Sequence, residues 1–193
     1  MSWQMFAGLA FVALLGGCDR ADFRPVRFSP VSEELFGEGG ALTDAWADVD
    51  LDGDPDRFVG FNGTPSRLYR NDGIDGFVDI ASEAGLTTQR SVRTSAWGDF
   101  DSDGDPDLLL GYSGEESVIA LWKNNGATFT EVSEMVGLRI VSGVTRQAAW
   151  VDVDADGDLD LFLAMRDGPN HLFIQTAGKF KNEAHNLGLD DTR

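Results

Sequence analysis

The sequence predicts an all-β chain made of three similar units of four short strands, and three observations carry that prediction. A tryptophan block returns three times, as Ala45-Trp46-Ala47-Asp48, Ala96-Trp97-Gly98-Asp99 and Ala149-Trp150-Val151-Asp152. Each block runs into an aspartate-rich loop and then an apolar strand: Phe58-Val59-Gly60-Phe61, Leu108-Leu109-Leu110-Gly111-Tyr112 and Leu161-Phe162-Leu163-Ala164. Each unit closes on Gly-Leu, at Gly85-Leu86, Gly137-Leu138 and Gly188-Leu189. Self-similarity at a period of about fifty residues marks an array of supersecondary units.

The remaining elements follow in order. Leu68-Tyr69, Leu121-Trp122 and Leu172-Phe173 read as third strands, leading into turns at Asn71-Asp72-Gly73, Asn124-Asn125-Gly126 and Ala177-Gly178. Turn residues between short apolar runs signal hairpins. Phe77, Phe129 and Phe180 open the fourth strands. Four strands per unit is the pattern of a propeller blade, so the fold class is β-propeller-type repeats, with units near 41–86, 92–138 and 144–189. Residues 28–33 match the fourth strand of a unit, as comparison with Phe129 to Glu134 shows. The expected array, residues 28–193, is three four-stranded blades plus one leading strand, a partial propeller. Trp46, Trp97 and Trp150 are expected in the core between blades, because large aromatic rings contribute most when buried.

The N-terminus reads differently. Met5 to Leu15 is an apolar run too short to span a bilayer as a helix and the length of a secretory signal's hydrophobic region. It ends at Leu15-Gly16-Gly17-Cys18, which resembles the lipobox of bacterial lipoproteins; Cys18 is the single cysteine in the chain. Residues 1–17 are therefore expected to be a signal peptide, Cys18 a lipidation site, and residues 18–27 a linker. Export to a bacterial envelope with a lipid anchor follows, the alternative being an ordinary cleaved signal and secretion.

Composition narrows function. The chain carries 33 acidic and 15 basic residues and a formal net charge of −18. With no basic surface to displace counterions, nucleic acid is excluded as a partner, and membrane contact is expected only through the lipid anchor.

The aspartate loops carry the chemistry. Asp48 to Asp56, Asp99 to Asp107 and Asp152 to Asp160 all fit D-x-D-x-D-G-D-x-D. Carboxylates packed this closely repel unless a cation sits among them, and oxygen donors without nitrogen or sulfur select calcium. With the first Asp as position 1, side chains at 1, 3, 5 and 9 can converge, glycine at 6 permits the turn, and position 7 offers its carbonyl. Three Ca2+ sites are thus expected. The first uses Asp48, Asp50, Asp52 and Asp56 with the carbonyl of Asp54. The second uses Asp99, Asp101, Asp103 and Asp107 with Asp105, and the third Asp152, Asp154, Asp156 and Asp160 with Asp158. These are not EF-hands, since Val59, Leu110 and Leu163 stand where that loop needs glutamate. The alternative is a solvated acidic turn without metal.

Taken together, W-x-D-x-D-x-D-G-D-x-D, the apolar strand, Leu-aromatic, the turn, Phe and Gly-Leu resemble the FG-GAP/VCBS repeat. The wording is closest to bacterial relatives of the ASPIC/UnbV and cartilage acidic proteins, and more distant from the integrin α-subunit propeller. The resemblance covers about Phe28 to Leu189. It implies a calcium-binding β-propeller, usually of seven blades, that serves in adhesins, receptors and accessory domains of enzymes. Three units and a leading strand are fewer than such a ring holds. Either copies associate to complete a ring, or the chain is a fragment of a longer propeller protein, or it forms an open arc.

The expected function is therefore an envelope-anchored protein or glycan binding module, with contact segments at Asn62 to Ser66, Ser113 to Ser117 and Arg166 to Asn170. Loops on a regular scaffold often carry recognition. The alternative is an accessory or partial domain of a propeller-type polysaccharide-acting enzyme. Catalysis by this chain is not expected. His171 and His185 fall at ordinary repeat positions, Glu115 interrupts the nucleophile-elbow pattern after Gly111-Tyr112-Ser113-Gly114, and no phosphate-binding glycine loop occurs.

Overall fold

A computed structural model describes residues 37–114, 118–126, 128–140 and 143–190. The signal run, Cys18, the linker and the leading strand at 28–33 lie outside the described residues. Among the described residues, twelve strands form three blades in chain order. Blade 1 holds β1 (Ala41–Ala47), β2 (Asp56–Phe61), β3 (Arg67–Asn71) and β4 (Phe77–Asp79). Blade 2 holds β5 (Val92–Gly98), β6 (Asp107–Gly114), β7 (Ile119–Asn124) and β8 (Phe129–Glu131). Blade 3 holds β9 (Gly143–Val151), β10 (Asp160–Met165), β11 (His171–Thr176) and β12 (Lys179–Asn182). Each blade is an antiparallel meander, and the registers repeat: Ala47 opposes Asp56, Gly98 opposes Asp107, and Val151 opposes Asp160. The aspartate loops thus connect the first two strands of every blade.

The near-continuous apolar runs of the second strands have a simple cause. A strand covered on both faces must bury both of its alternating sets of side chains. On β6, Leu108 and Leu110 belong to a core with Phe58, Leu68, Ala84 and Leu86 of blade 1. Leu109, one residue out of phase, belongs to a core with Leu161, Leu163, Phe173 and Phe180 of blade 3. Each blade therefore has a forward face, turned to the next blade, and a rear face, turned to the one before.

The first strands lie side by side. Thr43 and Ser95 share a hydroxyl hydrogen bond of 3.0 Å between β1 and β5. On β9, the Trp150 indole N–H donates to the Ala96 carbonyl of β5 at 3.4 Å. Close approach here depends on small residues: a Cβ at Gly98 would lie 2.6 Å from the Trp150 ring. Gly98→Val is accordingly expected to cost about 1–3 kcal/mol by overpacking, read as a lower denaturant midpoint with a perturbed tryptophan emission.

Two features depart from the sequence expectation. Blades 2 and 3 are joined by a short ladder, Ser113 with Val144 and Gly114 with Gly143, so their eight strands form one continuous sheet. The three tryptophans are also not equivalent. Trp97 and Trp150 are partly buried against the cores between blades, whereas Trp46 is 51% exposed. The expectation of a core position fails for Trp46 because burial at this site is supplied by the preceding blade, and blade 1 has none among the described residues. Its ring instead meets Phe77 edge-on and lies beneath the Arg57 guanidinium.

Candidate metal centres

The loop backbone explains how so many carboxylates share so little space. Position 6 is left-handed in every copy, at Gly53 (φ 99), Gly104 (φ 99) and Gly157 (φ 98). Position 4 is left-handed too, at Leu51 (φ 60), Ser102 (φ 57) and Ala155 (φ 61). Non-glycine residues adopt that region at a cost, and three unlike side chains doing so shows that the loop conformation, not residue preference, decides. Two reversals in three residues bend the chain around its own side chains.

Those side chains hold the bend. Asp48 accepts the backbone N–H groups of Asp52 (3.0 Å) and Gly53 (2.9 Å), and Asp99 accepts those of Asp103 (3.1 Å) and Gly104 (3.0 Å). Asp152 accepts Gly157 N–H at 3.2 Å. The position 9 carboxylate is the keystone. Asp56 accepts Val49 N–H (2.8 Å) with one oxygen and Asn71 N–H (2.7 Å) with the other. Asp107 does the same with Phe100 and Asn124, and Asp160 with Val153 and Gln175. All three are fully buried. Each ties the start of its loop to the third strand of its blade.

Positions 1, 3 and 9 converge. Asp48, Asp50 and Asp56 bring one carboxylate oxygen each within 4.8 Å of one another, as do Asp99, Asp101 and Asp107, and Asp152, Asp154 and Asp160. Position 5 is not a member of these triads: Asp52, Asp103 and Asp156 each accept the N–H of position 7, from Asp54, Asp105 and Asp158. Nine of the fifteen aspartates picked out in the sequence are thus gathered into three oxygen clusters, each of which could hold a metal ion.

Electrostatics favours a cation there. Burial, reinforced by the charges of Asp101 and Asp103 and opposed by two backbone N–H bonds, pushes Asp107 up to about 7. Burial raises Asp56 in the same way. In the second loop a cation of the protein's own answers this charge: the Lys123 ammonium reaches Asp101 and lies 2.7 Å from Asp103. Burial pulls that ammonium down, but its two carboxylate partners together hold it above the ordinary lysine value. Hydrogen bonding to Lys123 lowers Asp103 below the usual carboxylate range. The corresponding residues are Arg70, which pairs with Asp72 in blade 1, and Ile174 in blade 3.

The structure adds residues that the motif did not reveal. Asn124 donates from its side-chain amide to the Val49 carbonyl of the preceding blade's loop at 2.9 Å, and Gln175 donates to Phe100 at 2.9 Å. The first and second loops are thereby anchored to the blades that follow them. The turn signal Asn-Asn-Gly concealed this role for Asn124, and Gln175 carries no turn signal at all.

The expected contact segments are placed unevenly. The segment at 62–66 is held by Ser91 to Asn62 (2.7 Å) and by Ser66 to the Leu86 carbonyl (2.6 Å). Residues 115–117 lie outside the described residues. Asp167, Gly168 and Pro169 of the third segment rim an open cavity of about 540 Å³ with Ile140, Met165 and His171. His171 accepts from Asn182 at Nδ1, 2.7 Å away, and burial lowers its basicity, so the neutral ring is the resting form.

Comparison with known proteins adds one positive finding. The FG-GAP-like repeat matches residues 48–110 and again residues 99–163, spanning the first two loops and then the second and third. No curated protein matches the chain.

Proposed function

Because the chain belongs to the FG-GAP-like repeat family, we propose that it is a calcium-binding propeller-repeat module that recognises a protein or glycan and performs no catalysis itself. The observation that carries the calcium reading is the threefold recurrence of one triad, positions 1, 3 and 9, in the same loop geometry. Three carboxylate oxygens, with position 5 and a main-chain carbonyl close by in sequence, suit a hard cation of flexible coordination. The ion offsets the charge repulsion that burial intensifies at Asp107 and Asp56.

Calorimetric titration with calcium tests this: three equivalents are expected to bind, and Asp50→Asn, Asp101→Asn and Asp154→Asn together to abolish binding. Heat of binding that survives the triple substitution would end the reading. Lys123→Met is expected to tighten the second site by about 1.4- to five-fold, since an ion pair near the surface that competes with calcium is worth about 0.2–1 kcal/mol.

Placement and partner belong to the same proposal. Cys18, at the end of the signal-like run, would carry the lipid and leave the blades outside the cytoplasm, where calcium is plentiful. The open cavity beside Asp167 and His171 offers a recess for a polar ligand, with apolar walls and a few polar groups at its rim. A glycan array is the direct probe; binding lost on Asp167→Ala supports recognition there. The same cavity keeps a second reading in view, an accessory domain of a polysaccharide-acting enzyme, which a pull-down of such an enzyme would support.

A further inference from the structure

Basic residues are scarce in this chain, 15 against 33 acidic ones, and most of them are answered. Among the described residues, Arg57, Arg67, Arg70, Lys123, Arg166 and Lys181 each pair with a carboxylate. Arg90 lies 3.8 Å over the Tyr112 ring. Arg93, Arg139 and Arg146 form no ion pair among the described residues. With acids in twofold excess, an arginine left without a carboxylate calls for an explanation.

Two of the three share a backbone feature. In every blade the first strand carries a one-residue bulge, between Ala41 and Thr43, between Val92 and Thr94, and between Thr145 and Gln147. Arg93 and Arg146 are the extra residues of β5 and β9, and bulges re-aim side chains beside functional sites. Leu42 fills the same position of β1, so the bulge itself does not require a guanidinium. The two bulges also lie close together. A Cβ at Gly111 would lie 2.5 Å from Thr94 and 2.8 Å from Thr145, the chain neighbours of Arg93 and Arg146. Two cations carried by backbones this near repel each other unless an anion joins them. Arg93 in addition keeps its Nε–H buried without an acceptor, an arrangement that destabilises the free chain.

We infer that Arg93 and Arg146 together bind the carboxylate of a uronate residue in an acidic glycan. The planar guanidinium fork matches a carboxylate in shape and charge. The recess alongside favours a sugar as its carrier. Hydrogen bonding and charge from Arg166, with a further contribution from the Arg146 charge, hold Asp167 below the usual carboxylate range, which puts Arg146 close to the rim of the 540 Å³ cavity that Asp167 lines. Ile140, Met165 and Pro169 give that cavity apolar walls for the C–H faces of a sugar ring, and the unpaired Arg139 lines it too. Asp167 does not bar an acidic ligand, because Arg166 holds both of its oxygens. The ligand class rests on the glycan reading above; the arginine pair does not depend on it or on calcium.

Calorimetric titration of the full chain in saturating calcium tests this, with trigalacturonate as the acidic probe and galactotriose as its uncharged counterpart. Trigalacturonate is expected to bind at least about ten-fold more tightly, and Arg93→Gln and Arg146→Gln each to weaken it about ten-fold or more. Arg93→Met is expected to keep or raise the melting temperature, since it removes a buried donor that has no acceptor. A large fall there would make Arg93 a structural residue and overturn the assignment. Uronate binding untouched by both glutamine variants would overturn it, as would uronate binding abolished by Asp101→Asn, which would put the carboxylate on calcium. Tighter binding of a tetraglutamate peptide would overturn the choice of a glycan. Galactotriose binding with no preference for the uronate overturns the inference and leaves the proposed function standing, whereas a glycan array on which nothing binds overturns the glycan reading with it.

Discussion

Asp107→Ala is expected to lower the unfolding free energy by several kcal/mol, read from urea denaturation in excess calcium. Asp107 is fully buried and accepts the N–H groups of Phe100 at 3.1 Å and Asn124 at 2.8 Å. Alanine leaves both donors without a partner, and each costs about 1–3 kcal/mol when buried and unsatisfied. Asp107→Asn keeps one acceptor oxygen and presents an amide N–H₂ to the other donor, so about half of the loss is expected. If the alanine variant unfolds at the wild-type midpoint, the keystone role assigned to position 9 is wrong. The same experiment at Asp101, whose partner is the Lys123 ammonium rather than a buried backbone N–H, should affect calcium binding more than folding.

Phe180→Ala is expected to cost about 3–5 kcal/mol, the usual range for removing a buried phenyl ring. Phe180 is 5% exposed and packs between blades 2 and 3, with ring centroids 6.1 Å from Trp150 and 6.3 Å from Phe100. Its loss strips the rear face of blade 3 from the forward face of blade 2. The counterpart Phe77 sits on the rear side of blade 1, where it is only partly buried against Val59, Phe61 and Tyr69. Phe77→Ala should therefore be clearly milder, and equal losses at the two positions would show that the blades do not draw their stability from one another.

These contrasts show what the sequence made legible. The loops could be read directly, because identical Asp and Gly spacing in three copies leaves one backbone path, and the strands followed from apolar runs whose phase is fixed by burial on both faces. The environment of each tryptophan could not be read in that way. Trp46, Trp97 and Trp150 occupy the same position of the same motif, and what differs is the neighbouring blade. Position 4 of the loop was hidden for another reason: Leu51, Ser102 and Ala155 share a left-handed conformation that none of them advertises. Lys123 escaped because it meets its loop in one blade only, and Gln175 because a different residue type fills the position that Asn124 holds in blade 2, with its partner Phe100 far away in sequence.

The central claim is that the three loops are calcium sites that hold the blades in shape. With free calcium about 100-fold above the dissociation constant, each site adds about 2.7 kcal/mol. For a chain of this size each kcal/mol moves the melting temperature by about 2–4 °C. A thermal melt followed by circular dichroism, in excess calcium and again in excess EDTA, is the direct test. The account predicts a melting temperature more than about 10 °C lower in EDTA, or loss of the β signal before heating begins. Superimposable melts would contradict it and leave the aspartate loops as acidic turns held by their own backbone hydrogen bonds.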